Sequence, residues 1–297
     1  MTEPISPPLH ANPWRYPTSH DLFGSPERVA REMMVAQIGP TEPFVTPESV
    51  ILTQGSCFSG NIARELQAFG CRCIHADLVE FNNTTFHNRL LIDLALGAVP
   101  LDAENERFVA EILRGVSLSE FRDLLHTADI LIFTIGVALC PFDELGGLFL
   151  PLERTARARR LRMTTPEENA DNMRYILRSI SRINPNARFI LTVSPVPLGG
   201  VPRDFPSSFA ADCVSKSIMR LAAHYIEADR TPNLWYWPSF EMVRWLGSHT
   251  GPVFGVDDGN PRHVSHASVR MIIRLFLEKF GNDALRARAR QMNAGES

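Results

Sequence analysis

The segment Gly55-Ser56-Cys57-Phe58-Ser59-Gly60 follows an apolar run, Val50-Ile51-Leu52-Thr53, and leads into a helical pattern, Asn61-Ile62-Ala63-Arg64-Glu65-Leu66. A glycine where a strand ends permits a sharp turn, so the small polar side chains after it stand at the N-terminus of a helix. Free backbone N–H groups and the positive end of the helix dipole converge there, a setting that lowers a thiol pKa and stabilises an oxyanion. The plainer alternative is that Ser56 or Ser59 only caps the helix and Cys57 is a core thiol. A second chemistry-bearing stretch is Arg262-His263-Val264-Ser265-His266. Ser265 suits the N-cap of a closing helix whose apolar face holds Val269, Ile272, Ile273, Phe276 and Phe280. That leaves His263 in the preceding loop and puts His266 in the first turn. No cysteine or histidine cluster has zinc spacing: Cys71-x-Cys73 alternates along a strand, and His263-x-x-His266 lacks partners. Neither a GxGxxG nor a Walker loop is present.

Five apolar runs read as strands and would position these residues: Ser49–Thr53, Cys71–His75, Ile130–Ile135, Arg188–Val193 and Asn233–Trp237. Amphipathic stretches lie between them, at Gly60–Phe69, Thr85–Leu96, Phe108–His126, Pro166–Ile183 and Ala210–Ile226, with the closing helix at Ser265–Phe280. Strands alternating with helices predict βαβ units, a parallel sheet and right-handed crossovers that cover both faces. In such sheets sites form outside the carboxyl ends of the strands. The expected organisation is an N-terminal arm over residues 1–47, with a short helix near Val29–Val35, one α/β domain over 48–282, and a C-terminal tail over 283–297.

Composition bounds the function classes. With 30 Lys+Arg against 33 Asp+Glu the formal charge is −3, too little for a field that attracts nucleic acid or an anionic membrane. Five cysteines, an odd number in a chain long enough to build its own core, read as reduced thiols. The first residues show no basic region followed by an apolar run, and no window reaches the ~20 apolar residues of a membrane span. The expectation is a cytoplasmic protein, bacterial in style, with no nucleic-acid or membrane partner.

Gly55-Ser56-Cys57-Phe58-Ser59 resembles the signature of the GSCFA family, with Ser in place of the final Ala, and that family is similar to SGNH or GDSL hydrolases. Phe81-Asn82-Asn83-Thr84-Thr85, Ile132-Phe133-Thr134-Ile135-Gly136, Thr192-Val193-Ser194-Pro195-Val196-Pro197, Ala211-Asp212-Cys213-Val214-Ser215-Lys216-Ser217 and Trp237-Pro238-Ser239-Phe240-Glu241 resemble its later blocks in order. The resemblance spans roughly Ser49 to Phe280. It implies a flavodoxin-like three-layer sandwich of the SGNH-hydrolase type, with a five-stranded parallel sheet. It also implies an acyl-ester enzyme, an esterase or O-acyltransferase acting on a small-molecule, carbohydrate or peptide hydroxyl. No cofactor is required, and an acyl donor such as acyl-coenzyme A is compatible. Register on Gly55 makes Cys57 the nucleophile and Ser56 its competitor, with His263 as base and His266 as a lesser candidate. The third member should stand three residues before the histidine, where this chain has Asn260; Asp258, with Asp257 behind it, and Asn260 are therefore both candidates. Oxyanion and substrate contacts fall to Gly55, Asn82, Asn83, Thr134, Gly136 and Ser194, with Ala138 where a Gly-x-Asn block would carry Asn. That departure, with the missing aspartate, keeps a catalytically silent carbohydrate- or acyl-binding module in play.

Two further features read as structural. Arg154, Arg157, Arg159, Arg160 and Arg162 look like a solvated basic face, with an anion clasp as the alternative. Ser215-Lys216-Ser217 sits within an amphipathic stretch and reads as a structural or lid element rather than a Ser/Lys catalytic pair.

Overall fold

The computed structural model describes residues 15–142, 148, 160–201 and 205–294. Its centre is a six-stranded sheet. In chain order the strands of the structure are β1 (Val50–Gly55), β2 (Arg72–Leu78), β3 (Leu113–Arg114), β4 (Ile130–Ile135), β5 (Leu139–Phe142), β6 (Arg160–Met163), β7 (Arg188–Val193) and β8 (Leu234–Tyr236). The central sheet runs β3-β2-β1-β4-β7-β8, and β5 and β6 form a separate antiparallel pair. β2, β1, β4, β7 and β8 are parallel, and β3 adds a two-residue antiparallel edge. Counting only the parallel strands in chain order gives 2-1-3-4-5, the flavodoxin-like doubly wound order. The expected five-stranded parallel sheet is thus present, with one short edge strand beside it.

Helices cover both faces because every central strand is apolar on both sides. Ile51, Ile130, Ile132 and Ile190 face one core, and their neighbours Leu52, Leu131, Phe133 and Leu191 face the other. The first core is closed by α3 (Cys57–Ala68), α10 (His266–Phe280) and α11 (Asp283–Ala294), with the N-terminal arm packed outside them. Phe58, Ile62 and Leu66 on α3 meet Val269, Ile272, Ile273 and Phe276 on α10, all fully or nearly fully buried. Each such side chain contributes on the order of 1.5–3 kcal/mol by leaving water. The second face carries α4 (Thr85–Ala95), α5 (Ala103–Ile112), α6 (Leu118–Thr127), α7 (Pro166–Ile183) and α8 (Ser208–Ala228), and the one-turn α9 (Ser239–Glu241) follows β8.

The single stretch expected over Phe108–His126 is instead two helices with β3 between them. Gly115, at φ +79°, turns the chain, and Ser117 opens α6 with a reciprocal capping box to Glu120. The arm holds the short helices α1 (Ser19–Gly24) and α2 (Pro26–Val29), followed by a wide turn over Ala30–Met34. It is tied to α10 by ion pairs from Glu27 to the buried Arg274 and from Arg31 to Glu278, the latter at 2.7 Å. The segment read as a tail contains α11, whose Leu285 and Ala289 join the first core. Among the described residues no helix is long and apolar enough to cross a membrane. All five cysteines are unpaired.

Winding of the sheet reverses between β1 and β4: the chain leaves β1 toward β2 on one side and later returns to β4 on the other. Strand ends splay apart at such a point and leave a crevice above the carboxyl termini. Gly55 and Gly136 stand on its two sides, at the ends of β1 and β4.

Candidate functional site

β1 ends on Gly55 at φ +151°, a backbone region closed to ordinary side chains. A Cβ there would lie 2.9 Å from Thr134 Cβ and 3.0 Å from both Ser59 Cβ and Thr134 O. The glycine therefore serves two needs at once, the dihedral and the close approach to β4. Ser56 is the N-cap of α3 and makes no side-chain cap bond, and Cys57 is the first helical residue, three positions earlier than the apolar pattern placed the helix start. Ser56 is buried, whereas Cys57 is half-buried and lines a cleft of about 420 Å³.

Across that cleft lies the loop before α10, and His263, Asp258, Asp257, Val264 and His266 all line the same space. Gly255 (φ +70°) and Gly259 (φ +73°) turn this loop back on itself. Ser265 caps α10 through Ser268 N at 3.2 Å, as its sequence position required. His263 Nδ1–H donates to Asp258 Oδ2 at 2.6 Å, and Asn260 Nδ2 lies 3.2 Å from His263 Nε2. Asn260 Oδ1 is already engaged, accepting from Arg262 N at 3.1 Å, so the Nδ2 side of the amide must face the ring. Nε2 is then the acceptor and Nδ1 carries the proton, the tautomer a general base requires. Both candidates for the third position thus touch the imidazole: Asp258 orients it, and Asn260 occupies the lone pair that would take a proton. Asp258 is held below the usual carboxylate range, first by the bond from His263 and then by Asn260 N. Asp257 caps His266 N at 2.8 Å and does not contact His263.

The thiol differs from the expectation. Burial, followed by the charge of Glu80, pushes Cys57 above the ordinary thiol range. Hydrogen bonds from the Phe58 backbone and the Ser56 side chain, together with Arg262, pull it down without cancelling the rise. The helix N-terminus acts in the expected direction, but desolvation of the thiolate is the larger effect. Glu80 and Arg262 form an ion pair, and Arg262 Nε also donates to Pro197 O at 3.1 Å.

Of the expected oxyanion group, Asn82 and Asn83 are buried and face inward. Asn83 Nδ2 donates to Thr134 O at 3.0 Å and its Oδ1 accepts from Asn88, which in turn accepts from Gln54. Asn82 Nδ2 lies 3.4 Å from His87 Nε2. Asn83 braces the ends of β1 and β4 and Asn82 reaches α4, and neither lines the cleft. Thr134 Oγ1 is buried without a partner among the described residues, and Ser194 Oγ accepts from Val196 N at 3.3 Å. The backbone N–H of Gly136 has no acceptor among the described residues. The N–H groups of the first turn of α3 and that of Gly136 are therefore the donors available on either side of the crevice.

His75 and Asp77, absent from the candidates the sequence suggests, form the β2 wall of the cleft. His75 Nδ1 lies 3.0 Å from Thr53 Oγ1, and its Nε2 lies 3.6 Å from Asp77 Oδ1. Gly60 makes room for this ring, since a Cβ there would stand 3.2 Å from His75 Nε2. The available signal was period-two placement, because His75 and Asp77 share one face of a strand that otherwise reads as core. Of the arginine run, Arg154, Arg157 and Arg159 lie outside the described residues; Arg162 pairs with Glu168 at 2.8 Å and covers the Phe142 ring.

A doubly wound α/β protein with a helix-N-terminal cysteine and an aspartate-held histidine in one cleft at the carboxyl end of β1 and β2 is the class defined by fold and site. The GSCFA family profile matches residues 81–276, about two thirds of the chain, and the chain belongs to that family. The matched stretch begins after the Gly55–Ser59 segment and includes His263. The comparison with curated proteins found no match. Among solved structures, the chain is similar to an acetyl-xylooligosaccharide esterase variant from Geobacillus Stearmophilus, at 13% identity and TM-score 0.44, covering 80% of this chain and 97% of that one. It is also similar to a carbohydrate acetylesterase family member from Sinorhizobium meliloti, at 13% identity and TM-score 0.41, covering 80% and 99%. A GDSL-like lipase from Bacteroides thetaiotaomicron VPI-5482 matches at 14% identity and TM-score 0.39, covering 86% and 98%.

Proposed function

We propose that the chain is an acyl-ester enzyme, an esterase or O-acyltransferase, with Cys57 as nucleophile and His263 as base. The observation that carries this reading is the shared cleft: a half-exposed thiol on one wall and a correctly tautomerised, aspartate-held imidazole on the other. Cys57 is favoured over Ser56 because it reaches the cleft while Ser56 is buried. For reaction, Asn260 swings off Nε2, which then takes the thiol proton as Sγ bonds to the acyl carbon. N–H groups of the α3 N-terminus and of Gly136 receive the negative oxygen. Collapse expels the alcohol, which takes the proton from the imidazolium, and the thioester passes its acyl group to water or to an acceptor hydroxyl. The cleft is lined by three histidines, three aspartates, Asn61 and Arg64 with Val264 as the one aliphatic wall, which suits a short acyl group on a polar, hydroxyl-rich carrier.

The test is incubation with p-nitrophenyl acetate and a panel of acyl-coenzyme A donors, followed by intact-mass measurement. Wild type and Ser56→Ala should gain one acyl group, and Cys57→Ala should gain none and lose turnover completely. Full activity in Cys57→Ala with none in Ser56→Ala would transfer the role to the serine. A second reading, a silent carbohydrate- or acyl-binding module, is favoured by the raised thiol and by the amide on Nε2. It requires saturable glycan or acyl-donor binding with no covalent adduct on any variant.

A further inference from the structure

We infer that Lys216 is a positioning residue of this site: from inside α8 it holds the carbonyl of Gly136 and so fixes the Gly136–Val137 peptide, which, together with the Ile135–Gly136 peptide held by Ser194 N on Ile135 O, sets the turn that carries the Gly136 N–H above the crevice. The inference rests on the acyl-transfer reading for its kinetic consequence, but not for its structural one.

Lys216 is buried in the middle of α8, and its Nζ donates to Gly136 O at 2.7 Å. The adjacent Ser215 Oγ accepts from Ala138 N at 3.0 Å. Two consecutive residues of one helix thus grip the turn after β4 at two points, one carbonyl and one amide. Thr164 completes the clamp, with its N and Oγ1 each donating to Ala138 O at 2.8 Å. Ala138 occupies the position where a side-chain amide was missed in the sequence, and the clamp fixes the backbone of that turn from beneath. A Cβ on Gly136 would also meet Ser194 Cβ at 3.2 Å, so the turn has little freedom toward β7. Nothing in the acyl-transfer steps needs an ammonium here, and burying one is costly without a specific use.

The groups acting on Lys216 are Asp212 on its own helix, Arg244 from the Met242–Leu246 turn, Glu80 after β2 and Arg262 before α10. Burial is the largest influence and brings the ammonium down to about 8; Asp212 and Glu80 oppose this, while the two arginines add to it. Above that pH the charge-assisted bond to Gly136 becomes a neutral one, roughly half as strong. The linkage has a distinct sign. An ammonium depressed in the folded state binds fewer protons than in the unfolded chain between pH 8 and its ordinary value of 10.5, so the fold gains stability as pH rises through that window. Alignment of Gly136 weakens over the same window. A residue serving only the core would show the first trend without the second.

The experiment is an NMR titration of the ¹⁵N-labelled chain from pH 6 to 10, with Lys216→Met and Lys216→Arg beside wild type. The Gly136 amide should shift with a midpoint near 8 in wild type and should not titrate there in Lys216→Met. A wild-type Gly136 amide that stays fixed through that range overturns the inference, and this measurement needs no folded variant. In kinetics, Lys216→Met should lower kcat for p-nitrophenyl acetate about tenfold or more, with KM and the rate of Cys57 alkylation by iodoacetamide unchanged, since alkylation forms no oxyanion. Lys216→Arg should recover part of kcat. Equal loss of alkylation and turnover would mean a collapsed site and would also overturn the inference. If wild type turns over no ester, the acyl reading fails, and the amide titration alone decides the role of Lys216.

Discussion

The two walls of the cleft are built by opposite means. The Cys57 wall is an extension of the core: Gly55 packs against Thr134 and Ser59, Phe58 is fully buried, and the Gln54–Asn88–Asn83 chain ties the end of β1 to β4. The His263 wall is a surface loop whose shape rests on hydrogen bonds and two left-handed glycines, with the side chains of His263 and Asp258 42% and 49% exposed. One wall is held by packing that admits no extra atom, and the other by polar contacts that water can replace. On the acyl-transfer reading proposed above, a site divided in this way keeps Cys57 still and lets His263 move, as it must if Asn260 is to leave Nε2.

The sharpest way to break the comparison is to load the packed wall. Gly55→Ala adds a Cβ within 3.0 Å of β4 and forces alanine into φ +151°. Strain and overpacking together should cost about 3 kcal/mol or more, over a hundredfold in the folded-to-unfolded ratio, read by urea denaturation. Gly259→Ala in the base loop is the control: its Cβ would meet nothing within 4 Å, so only the dihedral strain at φ +73° remains. It should cost about 1 kcal/mol. Equal losses from the two changes would show that the walls do not differ in kind.

The next largest effect is on turnover alone. Asp258→Asn removes the acceptor that fixes the His263 tautomer while leaving Asn260 in contact, and losing this partner from a serine triad can cost ~10⁴. With a thiol nucleophile and a second residue on the ring, the expected loss in kcat is roughly ten- to a hundredfold, with the denaturation midpoint unmoved. The sign with pH follows from the direction of the shift: Asp258 is depressed in the fold, so its grip on His263 persists below the usual carboxylate range and fails only as pH falls further. A wild-type acid limb coinciding with that of Asp258→Asn would remove the carboxylate from the mechanism.

Legibility in the sequence followed the same division. Strands buried on both faces announce themselves by composition, and Ile130–Ile135 and Arg188–Val193 were readable to the residue. The capped helix Pro166–Ile183 was equally plain, with its N-terminal Thr165 and Pro166. The placement of Gly55, Cys57 and His263 was legible because strand end, helix start and closing cap each leave a local mark. Asp258 was legible only as one of two candidates, since loop geometry decides which side chain meets which ring nitrogen. The inward role of Asn82 and Asn83 was not legible, because a paired asparagine before a helix reads the same whether it faces ligand or core. Nor was the rise of the Cys57 thiol: it depends on burial and on Glu80, residues away in sequence and adjacent only after folding. The function of Lys216 was hidden for the same reason, its acceptor lying on a different strand.

The smallest effect tests whether the two walls communicate through charge. Glu80, after β2, raises the Cys57 thiol, and Arg262, beside His263 in sequence, lowers it; the two side chains are also ion-paired with each other. Replacing Glu80 with Gln removes the repulsion that a forming thiolate feels and leaves Arg262 unneutralised beside it. Both changes move the thiol in the same direction, down. The rate of iodoacetamide labelling at pH 7 should therefore rise severalfold, and its rise with pH should be centred lower than in wild type. Arg262→Met should do the reverse, slowing labelling by a similar factor. Because the pair is about one third exposed, screening limits the effect, and 0.5 M salt should narrow the gap between the two variants. If both variants label at the wild-type rate at low salt, the thiol answers to burial alone, and the base loop touches the nucleophile only through substrate.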